Sequence, residues 1–215
     1  MYDEKKNGSI KDAVYHSILD DILSDKYSAG EILNEKALIE RYGFSKTPIR
    51  EALICLCNDD VLRNIPRFGY EITAFKLDDV REMMQFRYYT ESGVLVQGAR
   101  FLTPSHIQEL RDINRQCEEA GADLWLHWDM NTRFHVSMMN FCNNSFAAAE
   151  LQRCMLRLKL AYSQLYRHNP EKNIPIKESQ HREMLINALE KNDKEAILSS
   201  VKGVIRDFGG PHFPL

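Results

Sequence analysis

The run Ser45-Lys46-Thr47-Pro48-Ile49-Arg50 carries side chains suited to a polyanion. Lys46 and Arg50 are cations that can meet phosphates or the O6/N7 edge of guanine. Thr47 can donate to phosphate or lie against a thymine methyl. Ser45 suits the cap of a helix, and Pro48 is tolerated in the first turn, where its missing N–H is not needed. Backbone N–H groups at such a helix start attract phosphate as well. A further cation, Arg67, stands in the turn Pro66-Arg67-Phe68-Gly69. From a hairpin tip it could reach a minor groove, and Gly69 permits close backbone approach. Plainer roles stay open beside these. Arg50 could pair with Glu51 or another exposed carboxylate, Thr47 could serve only as a cap, and Arg67 could be a solvated tip residue.

The surrounding elements must present these groups. Apolar residues at three- and four-residue spacing predict a helix over 10–26. Glu35–Tyr42 reads as a short second helix with Asn34 as its N-cap, and Gly43 allows the tight turn after it. The third helix opens at Ser45 and buries Ile49, Leu53 and Leu56. Strands over Val61–Ile65 and Tyr70–Thr73, joined by the Pro66–Gly69 turn, predict a hairpin. Helix, short helix, turn, helix and hairpin form the layout of a winged helix-turn-helix. From about residue 77 to 207 the pattern is helical almost throughout. Turn signals near Thr103-Pro104, Gly121-Ala122, Asn143-Asn144, Asn169–Pro175 and Asn192-Asp193 cut it into about six helical segments.

Composition narrows the function classes. The chain has 215 residues, with 44% apolar, 27% charged and a net charge of −3, as in ordinary globular proteins. No apolar run nears the ~18 residues of a membrane span. The polar N-terminus shows no secretory apolar stretch, so the expected location is cytoplasmic, with no membrane partner. Cys55, Cys57, Cys117, Cys142 and Cys154 form neither a zinc spacing nor a disulfide framework. No GxSxG, HExxH, Walker A or GxGxxG is present, so an enzyme is not expected. Residues 1–75 carry 10 Lys and Arg against 13 Asp and Glu. Residues 41–67 are locally positive, with five cations against three carboxylates. Phosphate neutralisation therefore falls to a small patch, and affinity should be modest and salt-sensitive.

The order Ala29-Gly30-Glu31-Ile32-Leu33, Leu38, Tyr42-Gly43-Phe44-Ser45-Lys46-Thr47-Pro48-Ile49-Arg50-Glu51-Ala52-Leu53, then Val61-Leu62 and Phe68-Gly69-Tyr70, closely resembles the GntR family over residues ~10–75. That resemblance implies double-stranded DNA as a partner, bound through Ser45, Lys46, Thr47 and Arg50 and through a wing holding Arg67, Phe68 and Gly69. Two positions depart from the family: Ser28 stands where an Arg is usual, and Lys46 replaces an Arg, losing the bidentate fork. Residues 77–207 resemble the FCD domain of the FadR-type branch through Arg87-x-x-x-Glu91, Phe134-His135, and His181 followed by Ala188 and Ala196. The resemblance implies a mainly α fold. A winged helix-turn-helix over 1–75 is followed by an all-helical antiparallel bundle over 76–215 that binds an effector and dimerises.

In that branch an Asp and three His often hold a divalent metal. Here Asn131 replaces the Asp, His135 and His181 match, and the last His should fall near Gly203 or Val204, which cannot ligate. Zinc or nickel is therefore disfavoured: no cofactor is required and no tightly bound metal is expected, with His135 and His181 as residual candidates. The two histidines could instead be hydrogen-bonded interior residues. They could also bind a small organic-acid effector with Asn131 and with Arg87 or Arg133 as charge partner. The implied function is a homodimeric, sequence-specific DNA-binding transcriptional regulator that responds to a small molecule. A ligand-binding protein with degenerate DNA binding is the alternative.

Overall fold

The computed structural model of the chain describes residues 9–121, 123–166 and 178–209. The expected turn at Asn169–Pro175 lies outside the described residues. Helix α1 spans Ile10–Leu23. Ser9 and Asp12 form its capping box, each side chain accepting from the other's backbone N–H. Val14, Ile18, Leu19 and Ile22 are buried along it. The helix stops short of residue 26, and Asp25 turns into the left-handed region at φ 60°. Helix α2, Glu35–Tyr42, is capped by Asn34 and ends on Gly43 at φ 71°. Helix α3, Lys46–Asn58, packs on α1 and α2 through Ile49, Ala52, Leu53 and Leu56, all 0% exposed. Each of the three large aliphatic side chains contributes about 1.5–3 kcal/mol by leaving water.

The hairpin forms as the sequence predicts, with the first strand starting one residue later than expected and the second shifted back by one. β1 is Ile32–Leu33, β2 is Leu62–Ile65 and β3 is Gly69–Ile72. The sheet order is β1-β3-β2, antiparallel throughout. β1 was not expected, because two residues are too short to show an alternation. Gly69 adopts φ 136°, and a Cβ there would collide with the Leu33 carbonyl oxygen. Only glycine lets β1 close over the wing.

A carboxylate ties the first helices together. Asp21 of α1 is 6% exposed. It accepts from Lys26 Nζ at 2.5 Å, from Arg41 Nε and Nη2 at 3.1 and 2.8 Å, and from Tyr42 Oη at 2.7 Å.

Six α-helices follow among the described residues. They are α4 Leu77–Gly98, α5 Pro104–Glu119, α6 Leu124–Phe141, α7 Ser145–Leu165, α8 Glu178–Glu190 and α9 Lys194–Gly209. A single 3-10 turn, Ala99–Phe101, follows α4. Thr103 caps α5 ahead of Pro104 at its first turn, and Asp123 caps α6. In the bundle α8 packs with α9 and α5, α5 with α6, and α4 with α9 and α6. The chain divides into two compact units. The first takes in the residues up to Lys76 and α7 from Lys159 onward, and the second takes in Leu77–Leu158 with α8 and α9. No helix among the described residues is long and apolar enough to cross a membrane.

Candidate nucleic-acid interface and buried polar site

Helix α3 begins at Lys46, three residues after the left-handed Gly43 that ends α2. Ser45, Lys46, Thr47 and Arg50 are all exposed there. Lys46 and Arg50 are one turn apart on a single helix face. Ser45 occupies the N-cap position with extended backbone but makes no side-chain capping bond. The first amides of α3 therefore keep their donors for another acceptor. Arg50 is paired, though not with Glu51. Its Nε donates to Glu35 Oε1 on α2 at 3.1 Å, and Tyr70 Oη donates to the same oxygen at 3.3 Å. That neighbouring carboxylate raises the guanidinium pKa further. The two terminal nitrogens of Arg50 carry no hydrogen bond among the described residues.

The wing tip presents Arg67, exposed and left-handed at φ 72°, next to Phe68, 70% exposed. The structure thus collects Ser45, Lys46, Thr47 and Arg50 at one helix end, and Arg67, Phe68 and Gly69 at one hairpin turn. The positive charge counted over 41–67 is less available than the sequence suggests. Arg41 is bound by Asp21, Arg50 by Glu35 and Arg63 by Glu71. These partners come from α1, α2 and β3, 20, 15 and 8 residues away in sequence.

The second unit holds a buried polar site. Arg87 and Glu91, one turn apart on α4, are both 0% exposed, and Arg87 Nε donates to Glu91 Oε1 at 3.0 Å. Glu91 Oε2 lies 2.5 Å from His135 Nδ1 on α6. Burial opposes the charge on Glu91, yet His135 and Arg87 outweigh it and hold the carboxyl below its ordinary range. Burial pushes His135 down, against the pull of Glu91 and with Arg87 and Arg182 adding to the fall. Arg182 of α8, 1% exposed, donates from Nε to Asn114 Oδ1 at 2.7 Å and from Nη1 to Asn131 Oδ1 at 3.3 Å. Neither Arg182 nor Asn114 stood out in the sequence, where an Arg at a helix start reads as a surface residue. Arg133 is not part of the site: it is exposed and reaches Gln116 at 3.3 Å and Glu109 at 3.9 Å.

The donor set does not fit a divalent metal. Asn131 Oδ1, the oxygen that would have to ligate, accepts from a guanidinium instead. His181 is half-buried with its ring against Gly203: a Cβ there would lie 3.1 Å from His181 Cδ2. A fourth ligand side chain at 203 would displace that ring. Among the described residues no three His, Cys, Asp or Glu side chains gather as a metal cluster.

Comparison with known proteins follows the same division. The model of bacterial regulatory proteins of the gntR family matches residues 10–72, and the FCD domain model matches residues 82–207. The HTH-type transcriptional regulator McbR of Escherichia coli strain K12 is 25% identical over 169 residues, covering 77% of this chain and 76% of that protein. YdhC of Bacillus subtilis strain 168, also an HTH-type regulator, is 27% identical over 136 residues. That match covers 60% of this chain and 59% of YdhC. The solved structure of E. coli McbR/YncC shares the fold, with a TM-score of 0.74 at 20% identity over 93% of this chain and 94% of that one. These relatives are regulators rather than enzymes. An N-terminal winged helix-turn-helix and a C-terminal helical domain, each matched by its own family model, make this chain a transcriptional regulator of the GntR family with an FCD domain.

Proposed function

We propose that the protein acts as a homodimer in which each copy sets one α3 into the major groove at half of a two-fold-related operator. Residues 1–75 form the DNA-reading domain. Residues 76–215 bind a small organic acid and dimerise. The exposed front of α3 supports this reading: Lys46 and Arg50 share a face, with Thr47 and an uncommitted Ser45 beside them. Lys46 meets phosphate, Arg50 reads a base edge, and Arg67, Phe68 and Gly69 follow the adjacent backbone or minor groove. Arg87, Asn131, His135 and His181 frame the effector site, and no metal is needed there. The effector changes DNA binding only if it binds two conformations with different affinity.

A mobility-shift series with DNA from upstream of the protein's own gene, at low and moderate salt, tests the DNA-binding half. A specific, salt-sensitive shift is expected, and Arg50→Ala should weaken it by about 1–3 kcal/mol. The second reading is a ligand-binding protein with degenerate DNA binding. The net negative first domain and the paired states of Arg41, Arg50 and Arg63 favour it. The absence of any salt-sensitive specific shift would decide for it.

A further inference from the structure

The backbone of the wing tip is strained in order to hold an aromatic ring in solvent. Phe68 N donates to the Ile65 carbonyl at 3.0 Å and closes a turn over Ile65-Pro66-Arg67-Phe68. Proline fixes φ at the second position, and Arg67 at the third is left-handed at φ 72°. That pairing is a type II turn, whose third position favours glycine. A left-handed non-glycine residue persists where the surrounding structure enforces it, and such residues gather at functional sites. The turn leaves Phe68 70% exposed, more than any other large apolar side chain described up to Lys76. Of the four arginines in residues 1–75, Arg67 alone makes no ion pair among the described residues. A lone exposed apolar residue is ordinary, but this one has a firm mount. Gly69 admits the Leu33 carbonyl and pins the start of β3 to β1. Tyr70 Oη then donates to Glu35 Oε1 at 3.3 Å, and the same oxygen accepts from Arg50 Nε at 3.1 Å. Two hydrogen bonds thus join the strand leaving the tip to the side chain at the front of α3.

We propose that Phe68 is a wedge that enters the minor groove, inserts between two stacked base pairs at a TA or CA/TG step and kinks the duplex, with Arg67 holding the groove beside it. The assignment deepens the DNA-binding reading above and rests on it. Apolar side chains inserted from the minor groove unstack a base step and bend the duplex by roughly 20–90°. The aromatic face of Phe68 replaces part of the stacking that the step loses. Pyrimidine–purine steps are the most easily unstacked, so the wedge selects them without a hydrogen bond to any base. In a domain whose cations are mostly committed to its own carboxylates, a neutral ring then supplies sequence preference that charge does not.

The test uses the full chain on duplex DNA from upstream of its own gene. Permanganate, which oxidises unstacked thymines, maps opened steps, and circular permutation of the bound site measures the bend. Wild type gives one hyperreactive TA or CA/TG step per half-site and a bend of roughly 20–90°. Phe68→Ala loses both and binds about tenfold more weakly or worse. Its salt slope stays unchanged, because no charge is removed. Phe68→Leu, still apolar and bulky, restores part of the bend. Arg67→Ala lowers the salt slope by about one and keeps the hyperreactive thymines. The exposed position of Phe68 leaves the melting temperature of the free protein unchanged in both Phe68 variants. Three outcomes overturn the wedge while operator binding stands. Wild type shifts DNA with neither hyperreactive thymine nor bend, Phe68→Ala binds and bends as wild type does, or Phe68→Ala changes the oligomeric state of the free protein, making the ring a contact between copies. The absence of any specific shift by wild type removes the operator reading and the wedge with it.

Discussion

Glu35 holds the one side chain of α3 best shaped to read a base. The bond it accepts from Arg50 Nε fixes the guanidinium plane while the two terminal nitrogens stay available, and Tyr70 Oη steadies the carboxylate from the sheet. Replacing Glu35 by Gln keeps the shape but weakens the hold on the guanidinium. Specific operator affinity should fall about tenfold while affinity for unrelated DNA and the salt slope stay unchanged. Competition binding at two salt concentrations reads this, and a gain in specific affinity would mean that Glu35 restrains Arg50 rather than aims it. Lys46, Thr47 and Arg50 were legible from sequence because one helical turn sets their geometry. Glu35 was not, since 15 residues and a change of helix separate it from Arg50. Arg182 and Asn114 escaped for a related reason: their burial depends on how α5, α6 and α8 pack, and no local pattern records that.

The elements show where local rules suffice. Asn34 and Gly43 bracket α2 as their residue types dictate. β1 depends instead on Gly69, whose missing Cβ admits the Leu33 carbonyl, so its existence belongs to the fold rather than to its own two residues. The join between α1 and α2 is electrostatic as well as apolar. Burial opposes ionisation of Asp21, but its bonds from Lys26, Tyr42 and Arg41 prevail and hold its carboxyl below the ordinary 3.8. A folded-state pKa below the unfolded one means that the stabilisation is complete above about pH 4 and is lost as pH falls through the folded value. Asp21→Asn should cost about 1–3 kcal/mol at neutral pH. The gap from wild type should close as pH drops below 4, as followed by denaturant melts across pH. A gap that stays constant with pH would show that the carboxylate charge contributes nothing.

For the whole molecule, charge sets a narrow margin for binding a polyanion. The first 75 residues are net negative, and Lys26, Arg41, Arg50 and Arg63 among their cations already pair with internal carboxylates. Two copies on one duplex, as proposed above, would double what remains. The bare N-cap of α3 adds a thermodynamic link. Ser45 gives the leading amides no side-chain acceptor, so a backbone oxygen of the duplex would complete a helix that the polypeptide alone leaves unfinished. Operator then behaves as a missing piece of the fold: at about one hundred times its dissociation constant it should add ~2.7 kcal/mol to unfolding. Amide exchange should slow most at Lys46 and Thr47, the first helical residues of α3. A duplex that binds tightly yet protects neither amide would place the contact elsewhere on the surface.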